Sequence, residues 1–265
     1  AMNDGGKSFP SEILSLGVAP ESKGTVMVVN GFTRVSAPDW FEAGEIAGFY
    51  DERDHGVPYV NDISFIGSQF EFRREIPWMD DDAAGFGASR SNYETKVIAG
   101  NTFDYPIVHG EAIMAAGYSF VSSSMDAFAG KSFNAEQYPV VDIIMGKQKE
   151  VKIGRGAVPN RYKTMSPELM TTITEYTKTG GNVMLTGSFI ATDIWDKKNA
   201  VEEEKAFAAD VLGYKWRVGQ AAIVGKIHSV PSIHSKLSDD GSWTFGMELN
   251  DKIYAVESPD AIYPA

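Results

Sequence analysis

The chain of 265 residues contains no cysteine. That absence excludes disulfides, thiolate metal sites and cysteine nucleophiles together. Histidine is scarce, with four residues, so the candidates for an imidazole base are His55, His109, His228 and His234. Basic residues are outnumbered, 24 Lys and Arg against 36 Asp and Glu, for a formal net charge of −12. A polyanion such as nucleic acid would be repelled by such a surface, and so would an anionic membrane. No apolar run approaches the roughly 18 residues of a membrane-spanning helix. What the chain does have is 43% hydrophobic and 12% aromatic residues, enough for a sizeable core.

Patterning points to an α/β protein. Thr25-Val26-Met27-Val28-Val29 is a continuous apolar, β-rich run that stops at Asn30-Gly31, as a strand buried on both faces does. Tyr118–Val121 and Val140–Met145 read the same way. Ser166 is a good N-cap and Pro167 suits a first helical position. Leu169, Met170, Ile173 and Tyr176 then share one helical face up to Gly180-Gly181, before the strand Asn182–Thr186. Asp104-Tyr105-Pro106 opens another helix with Gly117 as its stop, and Phe207, Ala208, Val211 and Leu212 mark a third. A helix is also expected from Pro38-Asp39-Trp40 towards Ile46. Residues 51–100 fit no simple period and read as a long insertion, and 215–265 as a β-rich, antiparallel extension with a turn at Asn250-Asp251. The expected fold is a doubly wound, mostly parallel sheet spanning residues 21–265.

In such a sheet, ligands bind beyond the carboxyl ends of the strands. The residues there are Asn30, Gly31, Ser123, Gly146, Lys147, Gln148 and Ser188, and Asp104 opens the neighbouring helix. Asn30, Gly31, Ser123, Gly146, Lys147, Gln148 and Asp104 are therefore candidate substrate-binding residues. Ser188 is a candidate nucleophile, His109 a candidate base and Asp193 a group that could orient it, since a serine needs a base to act. Equally, Ser188 caps a turn, Asp193 is a surface acid and His109 is a satisfied, partly buried histidine. The lipase-type Gly-x-Ser-x-Gly pattern is missing, because Ala191 follows Ile190. Asp62, Asp80, Asp81, Asp82 and Asp104 offer hard oxygen ligands, but their spacing is not that of an EF-hand loop, and neighbouring aspartates more often form a solvated turn. No metal and no cofactor is expected. A flavodoxin-type cofactor site would need a phosphate loop, for which Ser122-Ser123-Ser124 is too generic.

Three resemblances add to this reading. Asn3, Gly5-Gly6, Ser8 and Pro10-Ser11-Glu12 fall in an order that resembles the last hairpin of a fibronectin type III domain. This implies that residues 1–20 are the tail of a preceding domain or a linker, with 14–24 as connecting chain. Tyr176, Gly180-Gly181 and Gly187-Ser188 resemble the helix–strand–turn of class I glutamine amidotransferase-like domains, with Ser188 where that group often holds its cysteine. Several relatives of that fold are non-catalytic modules in sugar-active enzymes. Finally, Val57-Pro58-Tyr59, Gly85–Ser89, Gly100–Pro106, His109-Gly110 and Tyr118–Ser122 are similar to stretches of exported bacterial multidomain proteins labelled xanthan lyase-like, which carry fibronectin type III and golvesin-type modules. The resemblance implies an exported protein at the cell surface, in the periplasm or outside the cell.

Two functions follow as expectations. One is a hydrolase-like domain acting on cell-wall or polysaccharide material at the carboxyl edge of the sheet. The other is a non-catalytic carbohydrate-binding or scaffolding module beside a catalytic domain. Trp40, Trp78 and Tyr59 suit sugar stacking, or equally a core. A glycan or cell-wall fragment and neighbouring domains of the same chain are the expected partners, with no nucleic acid and no membrane insertion.

Overall fold

In the computed structural model, the described residues are 2–7, 12–36, 40–44, 46–49, 69–71, 87–89, 103–146, 148, 150–153, 158–161, 163–196, 200–219, 221, 225–228, 242–245 and 260–265. At the centre the apolar runs pair. Strands β1 (Leu16–Gly17), β2 (Thr25–Asn30), β3 (Ser119–Ser124), β4 (Val140–Gly146) and β5 (Asn182–Gly187) form a mostly parallel, mixed sheet in the order β5-β4-β2-β3-β1. The strands β2, β3, β4 and β5 are mutually parallel, and β1 closes the edge antiparallel to β3. From β2 the chain builds outwards to β3 on one side, then to β4 and β5 on the other.

Helices cover the sheet because alternate residues of its strands face opposite ways. Met27, Val29, Val141 and Ile143 point to one face. There they meet α2 (Met125–Ala129) through Phe128, α3 (Pro167–Lys178) through Leu169 and Ile173, and α5 (Glu202–Asp210) through Phe207. Val28, Phe120 and Ile144 point the other way, into a smaller cluster with Tyr105 and Ile113 of α1 (Asp104–Ala115). Gly110 is required where α1 crosses β3, since a Cβ there would run into the Phe120 ring. The helix stops at Gly117, which adopts φ +88°. The Ser166 hydroxyl accepts the Leu169 N–H, and Pro167 follows it at the start of α3.

Some segments depart from expectation. Residues 12–24 edge the sheet instead of merely connecting. Ser15 exchanges two hydrogen bonds with the Ser122 hydroxyl, and the Ala19 N–H donates to Ser119 Oγ at 3.0 Å. The helix expected from Pro38 to Ile46 is instead a hairpin of Trp40–Ala43 with Ile46–Phe49, turning at Gly44 with φ +66°. Of the insertion, Gln69–Glu71 pairs with both Arg34–Ser36 and Gly87–Ser89. In the extension, β6 (Tyr214–Val218) pairs antiparallel with β7 (Ala261–Pro264), and Gly225–His228 with Ser242–Phe245. Among the described residues neither pair joins the five-stranded sheet, and no helix is long and apolar enough to cross a membrane. The turn expected at Asn250-Asp251 lies outside the described residues.

Candidate functional site

The strand order reverses between β2 and β4, so the carboxyl ends of these two strands flank the crevice where an open α/β sheet would take a ligand. The crevice is occupied by the chain's own groups. Gln148 Oε1 accepts the Thr33 N–H at 3.3 Å, and Gln148 Nε2 donates to Thr33 Oγ1 at 2.9 Å. Thr164 Oγ1 donates to the Gln148 carbonyl at 3.2 Å. All three side chains are buried. Gly31 serves close packing, because a Cβ there would collide with Met145 Sδ and the Ile144 carbonyl. Gly146 takes φ +53° where the β4–β5 register shifts. The Ser123 hydroxyl turns back to the neighbouring Ser124 carbonyl at 3.0 Å. Lys147 lies outside the described residues, as does the side chain of Asp104, which begins α1 behind Phe103 at the N-cap position.

Asp193 belongs to this same network. Its Oδ2 accepts the Glu150 N–H at 2.8 Å, the Thr164 N–H at 3.2 Å and the Thr164 hydroxyl. Burial pushes its carboxyl up to about 6, against the opposing pull of those hydrogen bonds. Its oxygens tie two loops together and orient no histidine among the described residues. Ser188 sits just past β5, its N–H donating to the Gly146 carbonyl at 2.8 Å. Its carbonyl accepts the Asp260 N–H at 2.8 Å. The Asp260 carboxylate in turn accepts the N–H groups of Ala191 and Thr192, at 2.8 and 2.7 Å, and the Thr192 hydroxyl. The turn after β5 is thus clasped by the segment that leads into β7. Ser188 is not in the left-handed region, for Lys131 alone among the described non-glycine residues is. The strained elbow that exposes a nucleophilic serine is therefore not formed here.

His109 goes elsewhere. From α1 its Nδ1–H donates to Asp142 Oδ2 at 2.7 Å, in the interior of β4. The aspartate side chain is 5% exposed and the histidine 25%. Asp142 is in register with Met184, and Ser188 lies four residues further along the chain. That separates Ser188 from the His109–Asp142 pair by on the order of 10 Å. The structure brings His109 to Asp142 and Asp193 to Thr164; it does not join Ser188, His109 and Asp193. Asp142 escaped the reading of the sequence, although a lone aspartate inside the apolar run Val140–Met145 is the signal that marks it. His55 and His234 lie outside the described residues, as does the side chain of His228. Among the described residues no three His, Asp or Glu side chains converge as metal ligands.

Elsewhere on the carboxyl edge, Glu12 has its carboxyl raised to about 7, by burial first and by the charge of Asp126 second. Comparisons with protein-family models, curated proteins and solved structures return no match for this chain.

Proposed function

We propose that this chain is a non-catalytic binding or scaffolding module of an exported, multidomain protein, acting on cell-wall or polysaccharide material beside a catalytic domain. One observation carries the reading: the polar side chains in the crevice beyond β2 and β4 bond to one another. Gln148, Thr33, Thr164 and Asp193 form one internal network, and Asp260 clasps the turn that holds Ser188. A hydrolase of this architecture would keep such groups open to substrate and hold a base against the serine. The strand order β5-β4-β2-β3, with helices packed on both faces, supports assigning the sheet to the doubly wound class of flavodoxin-like and class I glutamine amidotransferase-like folds. Fold alone does not bring activity with it.

The test pairs two measurements on the whole chain. A serine-reactive phosphonate probe is expected to leave the protein unlabelled, and affinity electrophoresis in gels cast with neutral polysaccharides is expected to retard it. Labelling that disappears in Ser188→Ala would overturn the non-catalytic reading. Unretarded migration through every polysaccharide would remove carbohydrate as the partner.

A further inference from the structure

The carboxyl edge of the sheet looks different beside β3 than beside β5. Residues 12–15 run along this corner, fixed by the two Ser15–Ser122 hydrogen bonds. Asn30, fully buried, turns its amide onto the same segment. Its Nδ2 donates to the Ile13 carbonyl at 3.4 Å, while its Oδ1 has no partner. Glu12, one residue before that carbonyl, buries Oε2 with no partner either. Asp126, in the first turn of α2, is near enough for its charge to act on Glu12. Its helix begins at Ser124, the register partner of Asn30. One carboxylate oxygen, Glu12 Oε2, and one amide oxygen, Asn30 Oδ1, are thus buried at this corner without donors. Buried acceptors of this kind are satisfied by hard cations, which take charged and neutral oxygens alike.

We propose that Glu12 and Asn30, with Asp126 at the rim, hold a hard divalent cation of the Ca²⁺ type. Irregular geometry and a mixed oxygen set suit Ca²⁺ better than Mg²⁺, which demands a near-octahedral shell and keeps its own waters. With few protein ligands the affinity falls in the weak range of extracellular modules, a Kd on the order of 10⁻⁴ to 10⁻³ M. The cation would fasten residues 12–15 to the ends of β2 and β3. The inference is independent of the function proposed above.

The experiment is thermal melting of the full chain after EDTA treatment, titrated with CaCl₂, with MgCl₂ and with NaCl at matched ionic strength. Saturating Ca²⁺ is expected to raise Tm by about 3 °C over NaCl, and Mg²⁺ by less. Glu12→Gln should weaken the apparent Ca²⁺ affinity about tenfold, and Asp126→Asn about threefold. Glu136→Gln, an exposed acid on a separate turn, should leave it unchanged. A Ca²⁺ shift that NaCl reproduces, or that survives whole in Glu12→Gln, would overturn the site in favour of diffuse counterion binding to a chain of charge −12. No shift at all would overturn it too. Should circular dichroism find Glu12→Gln unfolded, the exposed Asp126→Asn decides, and unchanged affinity in that variant overturns the proposal.

Discussion

The two faces of the sheet are built on different terms. On one, Met27, Val29, Val141 and Ile143 meet α2, α3 and α5 in a continuous apolar layer. On the other, α1 supplies the helical contacts to a smaller apolar cluster, Met184 of β5 is exposed, and a carboxylate sits among the strands. The difference shows how little cover a charge needs. Asp142 can be buried on the thin face because α1 crosses close enough for His109 to reach it. On the thick face three helices press apolar side chains against the strands, where an unpaired charge would be costly.

Substitution can break this comparison. Ile143→Ala, at a fully buried position of the thick face, should cost about 3–5 kcal/mol in urea unfolding, from lost transfer energy plus the cavity left behind. On the thin face, His109→Ala should cost about 3 kcal/mol, because it strands the buried Asp142 carboxylate, whose Oδ1 already lacks a partner. The double variant His109→Leu/Asp142→Leu should recover most of that loss, since an apolar pair leaves no polar group to desolvate. If the double variant is no more stable than His109→Ala, the pair is not the thin face's weak point. The smallest effect sharpens the contrast at the loop network. Asp193 has its carboxyl raised to about 6 by burial, so the folded state holds its proton more tightly than the unfolded one. Its contribution is full below the ordinary value of 3.8 and is lost as pH rises through about 6. Relative to Asp193→Asn, the wild-type chain should therefore lose roughly 2 kcal/mol between pH 4 and pH 7. Unfolding curves of both proteins across that range, showing parallel pH dependence, would contradict it.

The parallel strands were legible because their signal is local. Thr25–Asn30 and Val140–Gly146 are mostly apolar and stop at glycine or a residue beside it, and α3 announces itself through Ser166 and Pro167. What escaped depends on partners distant in sequence. Leu16–Gly17 becomes a strand only because β3 offers an edge some 100 residues later, and two residues carry no period of their own. Trp40–Phe49 was misread because Pro38-Asp39 resembles a helix start, whereas the left-handed turn at Gly44 returns the chain as a hairpin. The candidate site suffered in the same way. Spacing placed Ser188, Gln148 and Asn30 correctly at strand ends. It could not say that Gln148 would turn to Thr33, or that His109 would choose Asp142 over Ser188.

The Asp260 clasp has a consequence for how the protein is made. Asp260 emerges from the ribosome 68 residues after Thr192, the residue whose amide it holds. At about 5–20 residues per second, that is an interval of roughly 3–14 s. Until it ends, the amides of Ala191 and Thr192 have only water to bond with, and the corner after β5 stays unlatched. The sheet can assemble strand by strand during synthesis, but its carboxyl edge is locked in a separate, later event.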